Sequence, residues 1–170
     1  MASSAREPTS GNADLETRAS DDHHLALKLW LRLLACTTRL ESEVRMRLRA
    51  EFDTTLPRFD LMAQLERHPN GLKMSELSRR MMVSGGNVTG LTDQLEKEAL
   101  VTRADAPADR RAYTVKLTPV GRALFARMAG AHEQWVIELF SGLTSSEKTQ
   151  VHRLLAKLKL HVATMTTGTD

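Results

Sequence analysis

Asp109, Arg110 and Arg111 sit between two short runs of alternating residues, and Asn87, Thr89 and three glycines share a predicted helix just upstream. Guanidinium groups suit phosphate oxygens and groove edges, while carboxamides and hydroxyls suit the edges of bases. This is the chemistry of gripping a patterned polyanion rather than of breaking a bond. No Gly-rich phosphate loop, nucleophile elbow or paired-carboxylate motif appears, so no catalytic residue is assigned and the chain is not read as an enzyme. The six histidines (23, 24, 68, 132, 152 and 161) form no cluster at metal-ligand spacing, and neither a metal nor a cofactor is expected.

The elements that must position these residues follow from pattern. Ser84 reads as an N-cap with Val83 stapling onto Val88, and Val88, Leu91 and Leu95 mark a buried stripe. The opposite face then carries Gly86, Gly90, Asp93 and Lys97, flanked by Asn87 and Thr89. Three glycines in one helix (85, 86 and 90) should cost about 1 kcal/mol each relative to Ala. Two explanations stand: close approach of the helix backbone to a bulky partner, or a weak surface helix supported by its neighbours. The first is preferred, because the glycines cluster at the end that would enter a groove.

Upstream, Thr54-Thr55-Leu56-Pro57 opens a helix carrying Phe59, Met62 and Leu65. It stops at Pro69-Asn70-Gly71, and a short helix over 74–81 follows, with Lys73 a poor cap and Leu77 inward. Met74, Met81 and Met82 read as core filler around it. Downstream, β-branched and alternating residues on either side of a Pro-containing tip predict a two-stranded hairpin. Thr118-Pro119 opens a helix with a stripe at Val120, Leu124, Met128, Ala131, Trp135 and Leu139. Thr144-Ser145-Ser146-Glu147 is a capping box before a last helix striped by Val151, Leu154, Leu155, Leu158 and Val162.

The fold class is therefore mainly α with a small β-hairpin: a winged helix-turn-helix domain plus a helical dimerisation domain. Residues 1–22 are expected to be a flexible acidic tail, with two cations against five anions, leaving +6 on the remainder of a chain whose net charge is +3. Residues 23–56 form an N-terminal dimerisation helix, residues 57–118 the winged domain and residues 119–165 two C-terminal helices, which a family resemblance implies are dimerisation helices. The first helix is apolar on nearly every face between Leu25 and Leu34, which calls for burial by a partner subunit; its second half keeps Arg45, Arg47 and Arg49 in water. No run approaches the roughly 18 apolar residues of a membrane span, and nothing suggests secretion. One cysteine cannot form an internal disulfide, which fits the cytoplasm.

These residues resemble the MarR family of winged-helix regulators over about residues 25–162. The most specific element is Asp109-Arg110-Arg111-Ala112-Tyr113-Thr114-Val115-Lys116-Leu117-Thr118, supported by Met74-Ser75-Glu76-Leu77-Ser78 and by Leu95-Glu96-Lys97-Glu98-Ala99-Leu100-Val101-Thr102-Arg103. The resemblance implies a homodimer on a pseudo-palindromic duplex operator, contacted by Ser75, Ser84, Gly86, Asn87, Thr89, Gly90, Arg103, Arg110 and Arg111. Arg110 would enter the minor groove, Arg111 would pair with the wing-shaping Asp109, and Arg103 would brace the wing or meet phosphate. Ala99 stands where the family usually has Gly, so the turn there is expected to be strained or differently shaped. The tracts 54–60 and 84–90 are similar to a subgroup answering to aromatic acids or hydroxycinnamoyl coenzyme A thioesters, which implies a repressor released by such an effector.

A pocket for a flat anionic ligand is sought at Trp30, Arg39, Phe59, Met62, His132 and Trp135, with ordinary interface packing as the plainer explanation. Cys36 is read as a buried structural thiol, against the alternative of a redox-sensing repressor. The rival class for the whole chain is a winged-helix protein-interaction module that grips an acidic partner.

Overall fold

The computed structural model describes the backbone of residues 13–106 and 109–166, and the side chains of residues 24–104 and 113–165. The chain divides into two units, residues 1–43 and 44–170, and helix α1 (Ala13–Phe52) runs from one into the other.

The first unit is the N-terminal part of α1. The expected flexible tail over residues 1–22 gives way to helix from Ala13, while residues 1–12 lie outside the described residues. Leu25, Leu27, Leu29, Trp30, Leu31 and Leu34 are all exposed in this single chain. Cys36 is exposed too, which corrects the expectation of a buried thiol: the apolar residues around it on α1, Trp30, Leu31 and Leu34, are themselves exposed.

In the second unit the end of α1 contributes Val44 and Leu48 to the core, and Asp53 (φ 46) terminates the helix. Arg47 is not solvated as expected, because it reaches Glu138 at 2.6 Å. Helix α2 (Leu56–Glu66) begins with Pro in its first turn and buries Phe59, Leu61, Met62 and Leu65. Helix α3 (Met74–Met81) follows with Leu77 inward and no side-chain cap at Lys73, as its sequence suggested. Met82 overturns the expectation of core filler. It occupies the left-handed region (φ 54, ψ 37) at the C-cap of α3 and is 93% exposed. Ser78 Oγ donates to the Val83 carbonyl at 2.6 Å and locks that turn.

Helix α4 (Gly85–Lys97) is followed by a sheet that has three strands rather than two. Strand β1 (Leu72–Lys73) pairs antiparallel with β3 (Asp109–Leu117), which pairs with β2 (Val101–Ala106) in the order β1-β3-β2. Leu72 lies opposite Val115, and Val101 opposite Leu117. Gly71 makes β1 reachable: at φ +89 it takes a backbone conformation that L residues avoid, and a Cβ there would sit 2.9 Å from the Val115 carbonyl.

Helix α5 (Pro119–Leu139) is capped by Thr118, whose hydroxyl accepts from the Gly121 amide at 2.9 Å. Met128 and Trp135 are buried along its stripe, but Val120 is exposed. The next residue, Gly121, faces the sheet, so Val120 is rotated outward by one helical step. In α6 (Ser145–Thr166) the capping box forms as expected, and the stripe from Val151 to Val162 is left exposed. One core, from Val44 through Leu77, Leu95 and Val115 to Trp135, joins α2, α3, α4, the sheet and α5. No helix among the described residues is long and apolar enough to cross a membrane.

Candidate nucleic-acid interface

Helix α4 is fixed from beneath. Val88 and Leu95 are fully buried, Leu91 is half-buried, and Thr92 completes the inner face. The periodicity argument missed Thr92 because its hydroxyl reads as polar. It is nevertheless satisfied in the core, donating to the Val88 carbonyl at 2.8 Å and approaching Met74 Sδ at 3.8 Å.

The outer face of α4 is bare. A Cβ added at Gly85, Gly86 or Gly90 would meet nothing within 4 Å. Packing among the described residues therefore does not demand these glycines, and the propensity cost has no return there. Asn87 and Thr89 are exposed beside them. Thr89 Oγ1 donates to the Gly85 carbonyl at 3.0 Å, so its proton is already used. Ser84 occupies the N-cap, but its side chain makes no capping bond, contrary to expectation. The first amides of α4 are thereby left open to an outside acceptor. Ser75 is exposed in the first turn of α3. A groove of about 350 Å³ beside α4 is lined by Pro57, Gly86, Asn87, Gly90, Leu91 and Gln94.

The sheet is tied to α4 by Arg103. Its guanidinium donates to both Asp93 and Glu96, and its backbone amide donates to Glu96 Oε1 at 3.2 Å. The Asp93 hydrogen bond holds the guanidinium pKa above its ordinary value, opposed by partial desolvation and reinforced by both carboxylate charges. Of the two roles considered for Arg103, this geometry performs the bracing one. Asp93, expected to face outward with the glycines, is half-buried by the same contact. The side chains of Asp109, Arg110 and Arg111 lie outside the described residues, so the Asp109–Arg111 pairing and the reach of Arg110 rest on sequence; their backbones belong to β3.

The turn from α4 into β2 passes through Ala99 at φ +58, the strained conformation expected where Gly was missing. Thr118 Oγ1 donates to the Ala99 carbonyl at 2.7 Å and steadies that turn. Arg58, from the start of α2, pairs with Glu98 at the C-cap of α4.

Of the residues sought for a ligand pocket, three come together in the second unit. The Phe59 and His132 rings are 5.0 Å apart, His132 and Trp135 are 6.5 Å apart, and Phe125 adds a further ring 5.5 Å from Phe59. Phe125 was not singled out beforehand, although it lies about two helical turns before His132 on the same helix. Met62 is 1% exposed and belongs to the core beneath. Trp30 and Arg39 belong to the other unit and are exposed there.

Comparison with known proteins matches this arrangement to one family. The family model described as MarR family matches residues 54–113, which contain α2, α3, α4, β2 and the start of β3. The uncharacterized HTH-type transcriptional regulator YfiV of Bacillus subtilis is 32% identical over 111 residues, covering 64% of this chain and 67% of YfiV. The HTH-type transcriptional regulator PecS of Dickeya dadantii is 28% identical over 106 residues, covering 61% of this chain and 64% of PecS. The chain spans a little over half to just under two thirds of the length of the first curated relatives it matches. Among solved structures, a MarR family transcriptional regulator from Silicibacter pomeroyi superposes with a TM-score of 0.72 at 29% identity, covering 84% of this chain and 98% of that one. A cysteine-to-serine mutant of Escherichia coli MarR, complexed with operator DNA, has the same fold with a TM-score of 0.69 at 23% identity, covering 78% and 94%. With the winged core, the braced hairpin and these alignments in agreement, the chain belongs to the MarR family.

Proposed function

We propose that the protein is a homodimeric, sequence-specific regulator of transcription that places α4 in the major groove and the β2–β3 hairpin over the neighbouring minor groove. One observation carries this reading: Gly86 and Gly90 lie on the outer face of α4, and no neighbour among the described residues requires them to be glycine. A backbone kept bare at a propensity cost of about 1 kcal/mol per residue suits close approach by a large rigid partner. The operator complex of the related E. coli protein supports duplex DNA as that partner. The exposed apolar stripes of α1 and α6 support a second copy of the chain as their cover.

In this reading the protein is a cytoplasmic repressor. A small aromatic acid, or its coenzyme A thioester, lodges against the Phe59, His132 and Trp135 rings and favours a dimer whose α4 helices are wrongly spaced. The test is titration of the protein into a fluorescent duplex from upstream of its own gene, against a scrambled duplex, across a salt series. Tight, sequence-dependent binding of two chains per duplex supports the proposal. Equal, salt-fragile binding to both duplexes favours a protein-interaction module instead.

A second reading takes support from Cys36, which is exposed in the chain. Peroxide would oxidise its thiolate to a sulfenic acid, releasing hydroxide, and relieve repression. Under this reading Cys36→Ser keeps duplex binding and loses the response to peroxide; a response unchanged in the variant removes Cys36 from the mechanism.

A further inference from the structure

We infer that α4 selects one adenine and one thymine in each half-site, Asn87 reading the adenine and Thr89 the thymine, and that it does not read guanine. The inference rests on the duplex-binding reading above and adds the base class to it.

At about 100° per residue, Gly86 and Gly90 lie along the middle of the exposed face of α4, with Asn87 on one flank and Thr89 on the other. The glycines carry no side chain and have open space above them, so the helix axis sinks toward the base pairs until its flanking side chains meet them. Each flank offers one kind of chemistry. Asn87 is exposed, and its carboxamide makes no hydrogen bond among the described residues. A free carboxamide, with one donor and one acceptor side by side, matches the N6 donor and N7 acceptor that adenine shows in the major groove.

Thr89 differs. Its hydroxyl proton is committed to the Gly85 carbonyl at 3.0 Å, so toward anything outside it offers no donor, only its oxygen lone pairs and the γ-methyl. A methyl facing the major groove finds its match in the C5-methyl of thymine.

No Arg stands on this face, and its one Lys, Lys97, is in the last turn of α4, away from the glycine end. Between Gly85 and Gln94 the helix has no Lys or Arg. The Arg103 guanidinium, the next along the chain, is held by Asp93 and Glu96, so its donors go to α4 itself. Those two carboxylates also outnumber the one cation between them, and a guanine edge, with acceptors at O6 and N7, gives them nothing to accept.

The experiment is selection from a random-sequence duplex library with the full chain, followed by single-atom changes in the selected duplex. Replacing one adenine per half-site by 7-deazaadenine removes the N7 acceptor and should weaken binding by roughly ten-fold. The same replacement should have no effect on the Asn87→Ala protein, whose exposed position keeps the fold intact by circular dichroism. Replacing one thymine by uracil removes the C5-methyl and should weaken binding a few-fold for the wild-type chain and not for Thr89→Ser. Selection with Asn87→Arg should bring guanine in at the adenine position. The inference is overturned if the motif carries guanine where α4 protects it, or if neither single-atom change distinguishes wild type from variant. Failure to enrich any motif overturns the duplex-reading proposal itself, and this inference with it.

Discussion

The Arg103 amide donates to Glu96 Oε1 at 3.2 Å while its guanidinium spans the other Glu96 oxygen and Asp93, so main chain and side chain together hold β2 against α4. The angle between the hairpin and the helix is thereby set by one residue. Arg103→Ala removes the guanidinium bonds and leaves two carboxylates side by side. It should lower stability by about 1–2 kcal/mol, the part-exposed setting keeping the figure modest. Duplex affinity should fall as well, with the salt dependence of binding unchanged, because the Arg103 guanidinium is already taken up by Asp93 and Glu96. A shallower salt slope in the variant would return Arg103 to the phosphate contacts.

A second close contact fixes where α5 leaves the sheet. A Cβ on Gly121 would lie 1.9 Å from the Leu100 carbonyl oxygen and 2.8 Å from its carbon, both main-chain atoms that cannot swing aside. The same carbonyl accepts from the Thr118 amide at 3.1 Å, so it is held from two directions. Gly121→Ala should therefore destabilise the fold by about 3 kcal/mol or more, measured by urea denaturation. A loss below about 1 kcal/mol would mean that α5 shifts freely and that its start is not anchored to the sheet.

Ala99 offers the opposite case. Its φ of +58 places a Cβ in a region that only glycine enters without strain. Ala99→Gly should raise stability by about 1 kcal/mol despite the greater freedom of glycine in the unfolded chain. An unchanged or lower midpoint would show that the Thr118 bond to the Ala99 carbonyl already offsets the strain.

Ala99 also marks what the sequence could and could not convey. A missing glycine at a helix end is a local conformational signal, and local signals were readable: Pro57 and Pro119 in first turns, the box at Thr144, and α3 over Met74–Met81. Features made by distant residues were not. Strand β1 has two residues and no alternation to detect; it exists because Gly71 lets the chain lie against Val115. The role of Arg103 depended on whether Asp93 and Glu96, ten and seven residues earlier, would turn toward β2. Met82 is apolar by type, so burial was the natural expectation, and only the left-handed turn at the end of α3 exposes it. The glycines of α4 stood out in sequence, yet only the open space above them removes packing as their explanation.

The box at the start of α6 predicts a pH response. Glu147 accepts from the Thr144 amide and hydroxyl, both at 2.8 Å, and these bonds hold its carboxyl below the ordinary value of 4.5, the backbone bond first. A carboxyl depressed in the fold contributes its stabilisation above the unfolded value and loses it as pH falls through the folded one. The first turn of α6 should therefore fray below pH 4.5 and not above it. Carboxyl NMR titration of Glu147, with the Thr144 amide followed alongside, checks this. The amide should shift with the same midpoint, and Glu147→Gln should flatten that step. A midpoint at or above 4.5 would mean that the box is open in solution.

Gly90→Ala separates folding from function on α4. The added methyl meets no atom of the described residues within 4 Å, so none of them resists it. Replacing glycine by alanine inside a helix should then raise stability by up to about 1 kcal/mol. If the bare face lies against a groove, the same methyl holds the helix away from the bases, and Asn87 and Thr89 lose reach together. Specific duplex affinity should fall by roughly ten-fold or more while binding to scrambled duplex, carried by phosphate contacts, stays the same. Calorimetric unfolding paired with duplex titration reads both quantities on one preparation. A protein that became more stable and bound its operator as well as before would show that no partner approaches this face, and the groove placement of α4 would have to be abandoned.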